Sequence, residues 1–207
     1  MDKKYWEKYY IKHRSPGNPS PFAEEVISYL KPKTTLLDLG CGNGRDTVFF
    51  SNNNIHVTGI DQTIDQIDYL NKNFASESLK FICDDFTKIT KLNGLFDSIY
   101  SRFTFHAISE EQEDWVLQWI KENLKPDGLF LLEVRSVNDI LFNEGVEVVN
   151  EKNAKITSHY RRFSNYNIIK QKIVDLGLTI IFSVEEDNLA KYKDENPIVI
   201  RIIAKNN

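Results

Sequence analysis

The sequence has no surplus of positive charge. Its 26 lysines and arginines stand against 30 acids, a formal net charge of -4, so it has no general attraction for nucleic acid or an anionic membrane. Any anion it binds must be met by a local cluster. Cysteine is scarce, and Cys41 and Cys83 form no C-x-x-C pair, which argues against a disulfide framework or a zinc site. No metal is expected. No apolar run approaches the length of a membrane span, and the opening MDKKYWEKYYIKH lacks the apolar core of a signal peptide, so the expected location is cytoplasmic. Internal repeats and low-complexity tracts are absent. A hydrophobic content of 41% and a charged content of 27% are ordinary for a globular protein. The length suits one α/β domain over residues 1–207 with a full core.

What is present centres on Thr34 to Asp46, TTLLDLGCGNGRD. Leu36, Leu37 and Leu39 read as a strand buried on both faces, and the glycines after it open a helix beginning at Arg45. A strand entering such a turn suits a nucleotide-sized ligand, because glycine lets the backbone come close and the helix start offers free N–H groups. Gly40, Gly42 and Gly44 give G-x-G-x-G, with Arg45 where a dinucleotide fingerprint needs its third glycine, and no G-K-[ST] follows.

The rest of the chain places further elements around this turn. Asp2 to His13 reads as an aromatic-rich amphipathic helix ended by a Ser-Pro-Gly-Asn-Pro break; it either covers the core or closes over a ligand through Tyr5, Trp6, Tyr9 or Tyr10. Ser20 caps a helix over Phe22 to Leu30. Helix Arg45 to Asn52 and strand Ile55 to Ile60 complete a right-handed βαβ unit. Asp61, at that strand's carboxyl end, offers two acceptors to the two hydroxyls of a ribose. Helix Ile64 to Phe74, strand Leu79 to Cys83 with the loop Asp84, Asp85, Phe86, and strand Phe96 to Tyr100 follow. Ser109 and Gln112 form a capping box for a helix to Asn123 that buries Trp115, Leu117, Trp119 and Ile120. LKPDG turns the chain into a strand over Leu129 to Val134. A polar stretch then ends in Ser158, His159, Tyr160, Arg161, Arg162 and Phe163, before a helix Asn165 to Leu176 and strands over Thr179 to Glu185 and Pro197 to Ala204.

The glycine turn, Asp61, the DDF loop and the LKPDG turn, in this order, resemble the motifs of class I S-adenosylmethionine (SAM) dependent methyltransferases, of the bacterial small-molecule O-methyltransferase type. The resemblance implies a Rossmann-like, mostly parallel seven-stranded sheet with helices on both faces and the last strand antiparallel. Residues 1–30 become cap helices and 136–164 an acceptor-side insert. It implies a cofactor site made of Asp38, Gly40, Gly42, Gly44, Asp61, Gln62, Asp85, Phe86 and Ser101, in which Asp85, rather than Asp84, takes the adenine amine and the Phe86 N–H the ring. SAM is then the cofactor and S-adenosylhomocysteine the product. The Asn/Asp-Pro-Pro-aromatic motif of nucleobase methylation is missing after strand four, where SRFTFHAIS stands instead.

On the acceptor side the resemblance places Arg102, His106, Arg135, His159, Tyr160, Arg161 and Arg162. Such a concentration of arginine in an acidic chain points to an anionic small molecule, a carboxylate, phosphoryl group or nucleotide-linked sugar, because the guanidinium fork binds oxyanions bidentately. Arg102, Arg135, Tyr160, Arg161 and Arg162 are the candidate acceptor contacts; His106, Arg102 and His159 are the candidate catalytic residues. His106 is the first choice of base, His159 the reserve, and with an acceptor already ionised His106 orients it. The expected partner is this small molecule, with no nucleic acid and no membrane, in a monomer or homodimer. Alternatives are a thiol- or tellurite-detoxifying methyltransferase, a nicotinamide-dependent oxidoreductase and a catalytically silent SAM-binding subunit.

Overall fold

A computed structural model describes residues 3–92 and 94–207, so Asp2, the first residue of the expected leading helix, lies outside the described residues. The elements in chain order are α1 (Lys3–Lys12), α2 (Pro21–Val26), β1 (Thr35–Leu39), α3 (Arg45–Asn52), β2 (His56–Asp61), α4 (Ile64–Phe74), β3 (Leu79–Cys83), β4 (Phe96–Arg102), α5 (Glu110–Asn123) and β5 (Leu124–Arg135). The insert carries the short strands β6 (Val146–Glu147), β7 (Ala154–Ile156) and β8 (Tyr160–Arg162), followed by α6 (Tyr166–Asp175), β9 (Leu178–Glu186) and β10 (Val199–Asn206).

Seven strands form one sheet in the order β3-β2-β1-β4-β5-β10-β9. The first five run parallel, and β10 lies antiparallel to both β5 and β9. Strand alternation divides the core between the faces. Leu37 and Leu39 pack with Ile99, Leu132, Ile120 of α5 and Ile173 of α6, whereas Leu36 packs with Tyr100, Leu131, Phe22 of α2, Phe50 of α3 and Leu70 of α4. Each of these leucines, fully buried, contributes about 1.5–3 kcal/mol of apolar burial. The sheet turns its order at β1, which pairs with β2 on one side and β4 on the other, and in open α/β sheets such a switch point opens a crevice at the strands' carboxyl ends.

Local differences from expectation have physical reasons. The helix after Ser20 is regular only to Val26 and tightens into a 3₁₀ turn at Ile27–Tyr29. LKPDG is the first part of β5 rather than a separate turn: its register against β4 shifts between Phe96 and Ser98, and Asp127 takes a φ of 63°. The buried side of α5 is Glu113, Val116, Leu117 and Ile120, with Trp115 turned to solvent. The insert folds as a three-stranded antiparallel sheet, β6-β7-β8.

Candidate functional site

Gly40, Gly42 and Gly44 all lie in the left-handed region, with φ of 70°, 57° and 77°. A side chain at Gly40 would put Cβ 2.5 Å from Thr104 Cγ2, and one at Gly42 would put it 2.6 Å from the Tyr10 hydroxyl. The missing side chains therefore let Thr104 and Tyr10 pack directly on the backbone of the turn. Cys41 N–H binds the Ile60 carbonyl at 2.9 Å, fastening the turn to β2. Gly44 caps α3 without a side chain, so it supplies no side-chain acceptor to the helix's first turn.

Three carboxylates border this turn. Asp38 is buried in β1, accepts the Thr47 hydroxyl at 2.7 Å, and is pushed up to about 7 by burial, with Asp46 and Asp61 adding to the effect. Asp61 accepts Thr63 N–H and hydroxyl on one oxygen, at 2.9 and 2.7 Å, and Gly42 N–H on the other at 3.2 Å, and the Gln62 N–H also bonds this carboxylate. After β3, Asp84 is committed to the Thr90 and Lys91 N–H groups, both at 2.9 Å. Asp85 gives one oxygen to Thr87 and keeps the other only 4.0 Å from the exposed Lys88. Phe86 is buried beside it. Ser101, next to last in β4, is hydrogen-bonded to Thr104, and the Gln62 carbonyl accepts the Cys83 thiol at 3.7 Å. All nine expected cofactor residues thus belong to β1, β2, β3 and β4 or to the segments that follow them. A ribose-bearing adenosyl ligand fits the chemistry of this set: a left-handed glycine turn, a buried carboxylate at the end of β2 and an acid–aromatic loop after β3.

Helix α1 covers the turn. It buries no residue completely, yet Tyr10 lies over Gly42, and burial, with Asp61 and Cys41 near, pushes its phenol well above the ordinary value, so it remains a proton donor. Tyr5 stacks on His159 at 4.0 Å, and Trp6 faces His106 at 6.4 Å. The helix is tied at its far end, where Arg14 donates to the Asp65 carbonyl at 2.9 Å and the Arg14 carbonyl accepts from Gln66 at 2.8 Å.

On the acceptor side, His106 is buried in a 3₁₀ turn after β4, and neither ring nitrogen has a hydrogen-bond partner. Burial first, and then Arg161, His159, Arg135 and Arg102, hold it well below the ordinary histidine range, so the ring is neutral. His159 Nδ1 lies 3.0 Å from the Ser158 hydroxyl. Arg135 is held by Asp139 at 3.1 Å and Glu195 at 2.8 Å. Arg161 bonds the Thr157 hydroxyl and, among the described residues, has no ion pair; burial and the neighbouring Arg135 lower its pKa.

Two expected acceptor contacts are not brought together with these. Alternation along β8 sends Tyr160 to the Ile108 carbonyl and Glu151, and Arg162 to the Ile108 carbonyl and the buried Glu113. They brace the insert against α5. Arg102 is also committed: its Nε lies 2.8 Å from Glu133 Oε1, off the line of a hydrogen bond, and its guanidinium caps the Phe103 ring at 4.4 Å. Within the fold it ties β4 to β5. The sequence reading gave Phe103, within SRFTFHAIS, no role of its own. With φ of 54° its ring sits between Arg102 and Arg135 and 5.9 Å from His106, and no residue pattern announces a left-handed phenylalanine. Among the described residues no three His, Cys, Asp or Glu gather as a metal site, and no helix is long and apolar enough to cross a membrane.

Comparison with known proteins agrees with this geometry. Residues 36–128 match the model of a methyltransferase domain family. The chain is 35% identical over 126 residues to a sterol 24-C-methyltransferase of Gibberella zeae, covering 57% of this chain and 32% of that protein. It is 30% identical over 104 residues to the cyclopropane-fatty-acyl-phospholipid synthase of Escherichia coli K12, covering 50% of this chain and 26% of that one. The chain thus spans less than half the length of these curated relatives. Among solved structures, a SAM-dependent methyltransferase of Methanosarcina mazei superposes with a TM-score of 0.76 at 16% identity, over 87% of this chain and 96% of that one. A TehB-like SAM-dependent methyltransferase of Corynebacterium glutamicum gives 0.71 at 17% identity, over 99% of both chains. At these identities the likeness is one of fold.

Proposed function

We propose, from the match of residues 36–128 to the model of a methyltransferase domain family and from a fold shared with SAM-dependent methyltransferases, that the chain transfers a methyl group from SAM to an oxygen of a small anionic acceptor. When bound, SAM supplies an electrophilic methyl on a sulfonium. The backbone at Gly40, Gly42 and Gly44 lets it approach, Asp61 takes the ribose hydroxyls, and Asp85 with the Phe86 N–H takes the base. Asp38, Gln62 and Ser101 complete the cradle. Neutral His106 accepts the acceptor's O–H, or orients an oxygen already ionised. Tyr5, Trp6, Tyr9 and Tyr10 keep water from the reacting atoms. Arg135 and Arg161 hold the oxyanion.

One observation carries the anionic reading: Arg161 has no counter-ion among the described residues although Arg135 lies beside it. The test has two stages. Thermal shift should show stabilisation by SAM and S-adenosylhomocysteine and none by NAD, since a ligand of the native state raises apparent stability; the reverse would sink the cofactor assignment. Methyl-labelled SAM is then offered with carboxylates, phosphate esters and nucleotide-linked sugars. Arg161→Gln should raise the KM of the accepted compound about 10- to 100-fold with SAM affinity unchanged. An unchanged acceptor KM removes the anionic site, and label appearing on sulfur or tellurium favours the detoxifying alternative.

A further inference from the structure

Arg135 has two carboxylates on its guanidinium, and they differ in kind. The Asp139 side chain is 1% exposed and its other oxygen accepts the Leu141 N–H at 2.8 Å, so it belongs to the fold. Glu195, on the loop between β9 and β10, is 68% exposed, and Arg135 is its only side-chain partner among the described residues. An exposed carboxylate gains little from such a pair and exchanges readily.

The loop that carries Glu195 also meets the rest of the acceptor side. Glu195 and Asp139 both act on the charge of Arg161, and Glu195 and Tyr192 act on Tyr9 of α1. Arg102 and Arg201 share Glu133, and Arg201 also reaches Glu25, so their charges are answered within the fold. Arg161 makes no ion pair among the described residues, and Arg135 is held in part by an exposed carboxylate.

We propose that Glu195 holds the place of the acceptor's oxyanion: a carboxylate or phosphoryl group displaces it from Arg135 and is gripped between Arg135 and Arg161. Glu195 is then a specificity-determining residue, since an entering anion must outcompete it. This rests on the anionic reading above and adds the occupant of the site when no acceptor is bound.

The full chain labelled with 15N-arginine and saturated with S-adenosylhomocysteine, which blocks the cofactor cradle, is titrated with inorganic phosphate and with acetate while the arginine Nε–H resonances are followed by NMR. Glu195→Gln should bind one or both ions about two- to fivefold more tightly than the unsubstituted chain. Adding Arg161→Gln should abolish the gain. A gain for phosphate alone assigns a phosphoryl group, a gain for acetate alone a carboxylate, and a gain for both the shared oxyanion chemistry. Equal affinities in the two proteins, or a gain that survives Arg161→Gln, overturn the proposal. Failure of S-adenosylhomocysteine to bind falls on the cofactor reading alone, and the ions are then titrated without it.

Discussion

Asp38 carries a cost that its neighbours reveal. Burial, with Asp46 and Asp61 adding to it, raises its carboxyl to about 7, while in an unfolded chain it titrates near its ordinary value of 3.8. The folded state therefore holds the proton more tightly; the stability this contributes is complete below pH 4 and is lost as pH rises to about 7. Asp38→Asn has no such loss. Its melting temperature should pull ahead of the unsubstituted chain between pH 4 and 7 and then run level, a gap of up to about 4 kcal/mol at one pKa unit per 1.36 kcal/mol. A gap constant with pH would show that Asp38 is not the titrating group. At this scale the sequence was legible where the backbone asks for a residue type. Three glycines at alternate positions announce left-handed backbone, whereas the commitment of Asp84 to the Thr90 and Lys91 N–H groups leaves no local signal. Phe103 was not legible, because a left-handed phenylalanine is imposed by its surroundings, here two guanidinium groups against its ring.

Strand β8 shows what an element adds to a motif. The run His159, Tyr160, Arg161, Arg162 reads as one basic patch, but a strand turns successive side chains to opposite faces, so His159 and Arg161 meet α1 and Arg135 while Tyr160 and Arg162 meet the insert and α5. Neighbouring arginines should therefore fail differently. Arg162→Ala leaves Glu113 buried with one cation fewer and should cost about 3–5 kcal/mol in urea unfolding. Arg161→Ala, half-buried and free of ion pairs among the described residues, should stay within about 0.5 kcal/mol of the unsubstituted chain. Equal losses would mean that β8 does not alternate in this way. The strand itself was hidden in the sequence because β6, β7 and β8 have only 2, 3 and 3 residues, too few for a period to show. Helices α3 and α5 were plain by contrast, since the glycine turn and the Ser109–Gln112 box mark their starts.

Across the whole molecule the mostly parallel seven-stranded sheet was legible through the family motifs, whereas its strand order and the ion network that crosses it were not. Glu133, fully buried in β5, lies 2.8 Å from Arg102 of β4 and 2.7 Å from Arg201 of β10, and Arg201 continues to Glu25 of α2, 176 positions away. Pairs so distant leave no local pattern, and they account for cations that composition alone would place on the surface. Glu133→Gln should lower unfolding free energy by about 3–5 kcal/mol, read from denaturant midpoints, because two buried guanidinium groups lose their shared counter-ion. A loss below about 1 kcal/mol would mean that water or other groups replace it. The cover over the crevice has an optical side as well. Of the three tryptophans, Trp115 and Trp119 ride on α5, whereas Trp6 rides on α1 with imidazoles 5.4 and 6.4 Å away. With phenylalanine at the other two positions, the tryptophan emission would come from Trp6 alone and read its nearness to those imidazoles as light, without any added dye.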